Sequence, residues 1–224
     1  MMKIDPELRL IRARRFKSEG QVDLAIEEIR NAIKADGSRA QFHMELAKVL
    51  MEKEGGDKEA EQALNTAIKS MGESPKLLVM LGDIYKKQGK PDDALRQYER
   101  AVRDPKAKNP DARMAMAHIY RDKKDLPNAL TQFEKAAQEY VGQGYKQAIA
   151  QTELGRAYEE KGDRTNADKY YLKAVGSGEY TAAYFYYGKF MLGDPKTKDK
   201  GKLTLQQYVK EDPHGQFVEE AKRL

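Results

Sequence analysis

The chain has 224 residues, 40% of them hydrophobic and 34% charged, and its 41 basic side chains nearly balance 36 acidic ones to leave a net charge of +5. Its apolar residues are too many and too regularly spaced for a disordered chain, and the absence of cysteine excludes disulfides, thiolate nucleophiles and thiolate metal sites. No run approaches the roughly 18 apolar residues of a membrane span, and residues 1–6 lack the apolar stretch of a secretory signal. The expected location is therefore cytoplasmic, unless a targeting or anchor segment has been removed.

Taken in chain order, one pattern recurs at a period of about 34 residues, which marks a solenoid of stacked helix hairpins. The first copy, residues 6–39, carries Ala13, Phe16, Gly20, Ala25, Ile29 and Ala32. The second, 40–74, carries Leu46, Ala47 and Leu50, then Ala60, Leu64 and Ala67, with a turn at Glu54-Gly55-Gly56-Asp57 that is one residue long for the pattern. The third, 75–109, is the clearest. Leu78, Leu81, Gly82 and Tyr85 fall on one helical face, Gly89 ends that helix, and Pro91-Asp92-Asp93 opens a second bearing Ala94, Tyr98 and Ala101. The fourth, 110–147, repeats this with Met116, Ala117, Tyr120, Ala129, Phe133 and Ala136, and its end around Val141-Gly142-Gln143-Gly144 predicts a longer loop. The fifth, 148–180, has Leu154, Gly155, Tyr158, Gly162, Ala167, Tyr171 and Ala174. In the sixth, 181–213, Tyr187 and Gly188 open the pattern. Asp194-Pro195-Lys196 and the lysines to Lys202 predict a lengthened turn before an irregular second helix, with Gly201 in an alanine slot. Residues 214–224 predict a terminal helix whose Phe217 and Val218 cover the last copy.

These residues closely resemble the tetratricopeptide repeat family, whose pattern is W-x-x-L-G-x-x-Y followed by A-x-x-x-F. The resemblance covers nearly the whole chain and implies an all-α, right-handed superhelix of about six hairpins with a C-terminal capping helix, read as one domain over residues 1–224. It also implies a non-catalytic adaptor or scaffold that holds a partner peptide or helix in its concave groove. An assembly accessory factor of a secretion, pilus or cell-envelope machine is the alternative.

In that family the first helix of each repeat lines the concave wall. Carried over by register, the wall comprises Leu10, Arg14 and Lys17; Met44, Lys48 and Met51; Val79, Asp83, Lys86 and Lys87; Met114, His118 and Arg121; Thr152, Arg156 and Glu159; and Phe185, Lys189 and Leu192. Methionines adapt to varied apolar anchors and the neighbouring cations suit acidic side chains, so the expected partner is a protein or peptide, acidic in character. Arg14, Lys48 and Asp83 occupy the slots with which some relatives grip C-terminal carboxylates, without the asparagine of that pattern.

No catalytic constellation competes with this reading. The three histidines, His43, His118 and His214, form no zinc pair, and His43 stands in a tryptophan slot, where packing is expected. Adjacent acids such as Asp92-Asp93 point about 100° apart on a helix and do not converge on one atom. No phosphate-binding loop occurs, so neither a cofactor, a metal nor a small-molecule substrate is expected. Basic clusters at Arg9–Lys17 and Lys196–Lys202 are separated by chain in which acids match bases, so nucleic acid is not the expected partner. The cluster Tyr180, Tyr184, Phe185, Tyr186, Tyr187 and Phe190 predicts a second interface or self-association, unless Phe217 covers it.

Overall fold

In a computed structural model, residues 5–104, 106 and 108–224 are described; of Ala40 and Met71 only the backbone is. Among the described residues there are thirteen helices and no strand. They form two compact units, Met1–Pro105 and Lys106–Leu224. The first holds α1 (Pro6–Ser18), α2 (Val22–Ala35), α3 (Ala40–Glu52), α4 (Asp57–Met71), α5 (Pro75–Lys87) and α6 (Pro91–Ala101). The second holds α7 (Pro110–Asp122), α8 (Leu126–Glu139), α9 (Gly144–Glu160), α10 (Arg164–Ser177), α11 (Ala182–Leu192), α12 (Lys198–Glu211) and α13 (Val218–Arg223). Within each unit every helix packs on the next, and in the second unit α9 also meets α11, the first helix of the following hairpin.

Local chemistry sets the ends of these helices. Side chains of Asp5, Ser74, Asn109, Asp125 and Asp163 accept from backbone N–H groups in the first turns they cap. Proline occupies the first turn of α1, α5, α6, α7 and α8, where its missing N–H costs nothing. Three hairpin turns close the same way: Gly20, Gly89 and Gly162 adopt left-handed φ, and the next N–H donates to the carbonyl five residues back. The fourth hairpin makes the same turn with Lys124 at φ 63°, the one non-glycine with positive φ among the described residues.

The two helices of a hairpin touch at a small residue. A Cβ on Gly82 would lie 2.5 Å from the Tyr98 ring, and one on Gly155 would lie 2.6 Å from the Tyr171 ring. Both tyrosines are fully buried, and their hydroxyls still donate to a first-helix carboxylate, Tyr98 to Asp83 at 2.6 Å and Tyr171 to Glu159 at 2.7 Å. Where the first helix has alanine instead, at Ala13, Ala47 and Ala117, the large side chain 16 or 17 residues on is Ile29, Leu64 or Phe133. Volume is thus exchanged across the interface, as close packing demands.

Four expectations need correction. The residues before Ala148 do not lengthen a loop; they extend α9 to 17 residues, held by Tyr145 edge-on to Tyr180 and by Lys146 paired with Asp111 at 3.0 Å. The turn before α12 is lengthened as expected, over residues 193–197, but the lysines from Lys198 onward belong to the first turn of α12, and that helix is a regular one of 14 residues. Gly201 makes this possible: a Cβ there would stand 2.9 Å from the Gly188 carbonyl oxygen, so two glycines let α11 and α12 meet. The terminal helix is shorter than expected, and Phe217 precedes it as its cap residue. The aromatic cluster is largely packed inward: Phe185 and Phe190 are buried, and Phe217 stacks on Phe185 with centroids 4.3 Å apart.

Replacing Gly82 by alanine should cost about 1–3 kcal/mol and lower the melting temperature by about 2–10 °C, with Tyr98→Leu in the same chain recovering part of the loss. An unchanged melting temperature for Gly82→Ala would mean that the hairpin is not this tight. Lys124→Gly should raise stability by about 0.5–1 kcal/mol, because only glycine takes that φ without strain. A lower melting temperature would contradict this account of the turn.

Candidate interaction surface

In the first unit the faces of the first helices are joined by ion pairs roughly one period apart. Lys17 on α1 reaches Glu52 on α3 at 2.6 Å, Arg14 reaches Glu45 at 3.5 Å, and Lys48 meets the same Glu45 at 3.0 Å. Lys87 on α5 donates to the Met51 carbonyl and to Asp57, both at 2.8 Å. Each such pair contributes only about 0–1 kcal/mol at the surface, but together they neutralise the face. Asp83 is occupied by the Tyr98 hydroxyl, and Lys86 is exposed. Met44 and Met51 are half-buried against the core, and Val79 is also half-buried. Leu10 is wholly internal at 1% exposure.

The second unit concentrates more chemistry. Glu153 on α9 binds Arg121 from α7 and, at 2.8 Å, Arg156 one turn further along its own helix. His118 stands edge-on to Phe133 at 5.2 Å, and its Nδ1 lies 3.4 Å from Arg121. The Arg156 guanidinium also lies over the Tyr186 ring of α11, 4.8 Å from its centroid, an arrangement that favours a desolvated cation. Burial works against the Arg156 charge, but Glu153 and the surrounding tyrosines hold its pKa above the ordinary guanidinium value. On α11, Lys189 pairs with Glu220 of α13 at 2.7 Å and stands 5.2 Å over the Phe185 ring.

Arg156, Glu159, Glu160, Tyr171, Tyr186 and Lys189 line one cavity of about 290 Å³. Burial pushes the Tyr171 phenol above the ordinary tyrosine range, and its bond to Glu159 pushes it further; burial does the same to Tyr186. The floor therefore presents neutral phenols, and the walls present fixed charges of both signs. Among the described residues no group of three or more histidines and carboxylates could hold a metal ion, and no helix is long and apolar enough to cross a membrane.

The structure thus brings Arg156, Glu159 and Lys189 together, with Arg121 and His118 arranged beside Glu153. It moves Met114, Thr152 and Phe185 off the expected wall, at 9%, 1% and 1% exposure, and leaves Leu192 half-buried in the end of the unit. Met114, Thr152, Phe185 and Leu10 share a reason: each lies one turn before the small residue of its helix and is buried in the stack there. The buried Thr152 hydroxyl is satisfied within its own helix, donating to the Ala148 carbonyl at 2.9 Å. Sequence reasoning missed Glu153, Glu160 and Tyr171 as parts of this surface and assigned Tyr186 to a separate aromatic interface. The available signal was the register, which sets Tyr186 one period after Glu153.

Two family models described as tetratricopeptide repeat match the chain, one over residues 12–76 and again over 79–143, the other over 148–179. No curated protein is significantly similar to the chain. Among solved structures, PilF of Pseudomonas aeruginosa is 18% identical and superposes with a TM-score of 0.73 over 97% of this chain and 96% of its own. PilW, described as a widely conserved type IV pilus biogenesis factor, is 16% identical, with a TM-score of 0.71 over 96% of each chain. YrrB, described as a TPR protein with an unusual peptide-binding site, is 24% identical, with a TM-score of 0.59 over 79% of this chain and 89% of its own. At these identities the likeness is one of fold. The matched segments span most of the chain and coincide with the hairpins, so the chain belongs to the tetratricopeptide repeat family.

Proposed function

We propose that this protein is a non-catalytic adaptor that binds an extended peptide or a partner helix on the first-helix faces of its second unit. The observation that carries the reading is the cavity between α9 and α11, where Arg156 and Lys189 are held ready over Tyr186 and Phe185. A guanidinium already aligned by Glu153 and by an aromatic face loses little freedom on binding, so less binding energy goes into ordering the receptor. A partner carboxylate would meet Arg156 and Lys189, and a partner cation would meet Glu159 and Glu160, so the cavity suits a segment that carries charges of both signs.

Nucleic acid is a weaker fit. The basic side chains of α1 are engaged by carboxylates, Arg9 and Arg12 by Glu28, Arg14 by Glu45, Arg15 by Glu19 and Lys17 by Glu52. A second reading, an assembly accessory factor of a secretion, pilus or cell-envelope machine, is favoured by the likeness of PilF and PilW over nearly the whole chain.

Affinity capture from the native cell with the wild type and with Arg156→Glu/Lys189→Glu tests the adaptor reading. Proteins retained by the wild type should fall at least about tenfold with the reversed pair, equivalent to about 1.4 kcal/mol, while helicity stays unchanged. Equal capture by both would remove the site from this cavity.

A further inference from the structure

The repeat pattern places tryptophan four residues before the small residue of a first helix, and α9 has Gln151 in that slot, ahead of Gly155. In the third hairpin the slot holds Leu78, which is 2% exposed. A glutamine fills less space than the ring of the pattern, and a cavity of about 200 Å³ borders it, between α8 and α10 with α9 as its floor. The first unit repeats the effect. There His43 stands in the slot and borders a cavity of about 330 Å³ between α2 and α4.

The groove between α8 and α10 changes character along α9. At one end Val141, 71% exposed, borders the cavity together with the buried Ala137 and Leu154. Gln147 is committed there, donating to the Ala137 carbonyl at 3.2 Å, while the amides of Gln138 and Gln151 offer the donors and acceptors that a peptide main chain needs. Toward the other end Tyr170 lines the wall, and its ring stacks on that of Tyr158 with centroids 5.5 Å apart. Lys173 and Lys169 stand 5.4 and 5.5 Å from the centre of the Tyr170 ring, and Lys161 stands 5.9 Å from that of Tyr158.

None of these three lysines has a carboxylate within ion-pair distance among the described residues. Glu134, which also lines the cavity, accepts from the Tyr158 hydroxyl at 2.6 Å, and Asp163 near Lys161 is bonded to Asn166. The rings hold the ammonium groups in place but supply no counter-charge, so three like charges are gathered where an anion would relieve them.

We propose that this groove docks an extended acidic segment of a partner protein, with one aliphatic side chain in the cavity beside Gln151 and carboxylates at Lys161, Lys169 and Lys173. The cavity is smaller than the roughly 300–1,000 Å³ of pockets for small molecules, which suits a single side chain. Tyr158 and Tyr170 stack on each other and carry the lysines, so a nucleic-acid base would have to displace those contacts, and a peptide is favoured. The groove uses α8 and α10, whereas the cavity around Arg156 lies between α9 and α11, so neither reading depends on the other.

The test is fluorescence anisotropy with the full chain and a set of labelled ten-residue peptides, each with one aliphatic residue two to four positions before or after three consecutive glutamates. The best of them should bind saturably and at least about tenfold tighter than its counterparts with lysine for glutamate or serine for the aliphatic residue. Lys169→Glu/Lys173→Glu should weaken it at least about tenfold, and Arg156→Glu/Lys189→Glu should leave it unchanged. Gln151→Trp, which fills the slot, should erase the preference for the aliphatic residue; if that variant does not fold, the reversal of Lys169 and Lys173 decides alone. Absence of saturable binding, indifference to that reversal, or loss on reversing Arg156 and Lys189 would overturn the proposal. So would tighter binding of an oligothymidylate that the same lysine reversal abolishes, since the groove would then serve nucleic acid.

Discussion

Everything in this protein depends on how closely two helices of a hairpin can approach. At Gly82 and Gly155 there is no room for a Cβ, because a buried tyrosine lies where it would go. That contact does three things together. It lets the helices meet along their length, it fills the interface without voids, and it carries a phenolic hydroxyl back to an acid on the first helix. A buried hydroxyl without a partner would cost about 1–3 kcal/mol, so the acid is part of the packing solution. Hairpins with alanine in the slot use isoleucine, leucine or phenylalanine instead, and Ala117 pairs with Phe133 beside His118 rather than beside an acid.

Stacking the hairpins then decides which side chains remain for function. Residues one turn before the small slot are consumed by the stack, which is why Leu10, Met114, Thr152 and Phe185 are internal. Charged residues of the first helices stay at the surface, but in the first unit most are paired with carboxylates of a neighbouring helix. In the second unit Arg156 and Lys189 share one concavity with Tyr171 and Tyr186, and Glu153 serves both Arg121 and Arg156.

The sequence was legible wherever one residue type answers one geometric demand. Glycine at a left-handed turn, proline in a first turn and a small residue opposite a large one each have a single local cause, and the hairpins followed from them. Legibility failed where two chain segments had to be weighed together. The lysines near Lys198 look like a loop until Gly201 is set against Gly188, which turns them into a helix. The stretch after Gly142 looks like an insertion until Tyr145 meets Tyr180. The wall residues were placed by register alone, which gives the slot but not the neighbour, and Arg156 acquires its setting from Tyr186 of a different helix.

The central claim is that the first-helix faces of the second unit receive the partner. Hydrogen–deuterium exchange of the chain, free and saturated with a partner captured by the wild type, tests it most directly. The account predicts slowed exchange in α9 and α11, strongest between Arg156 and Glu160 and between Tyr186 and Lys189, with α8 and α10 unchanged. Protection confined to α8 and α10 would contradict it.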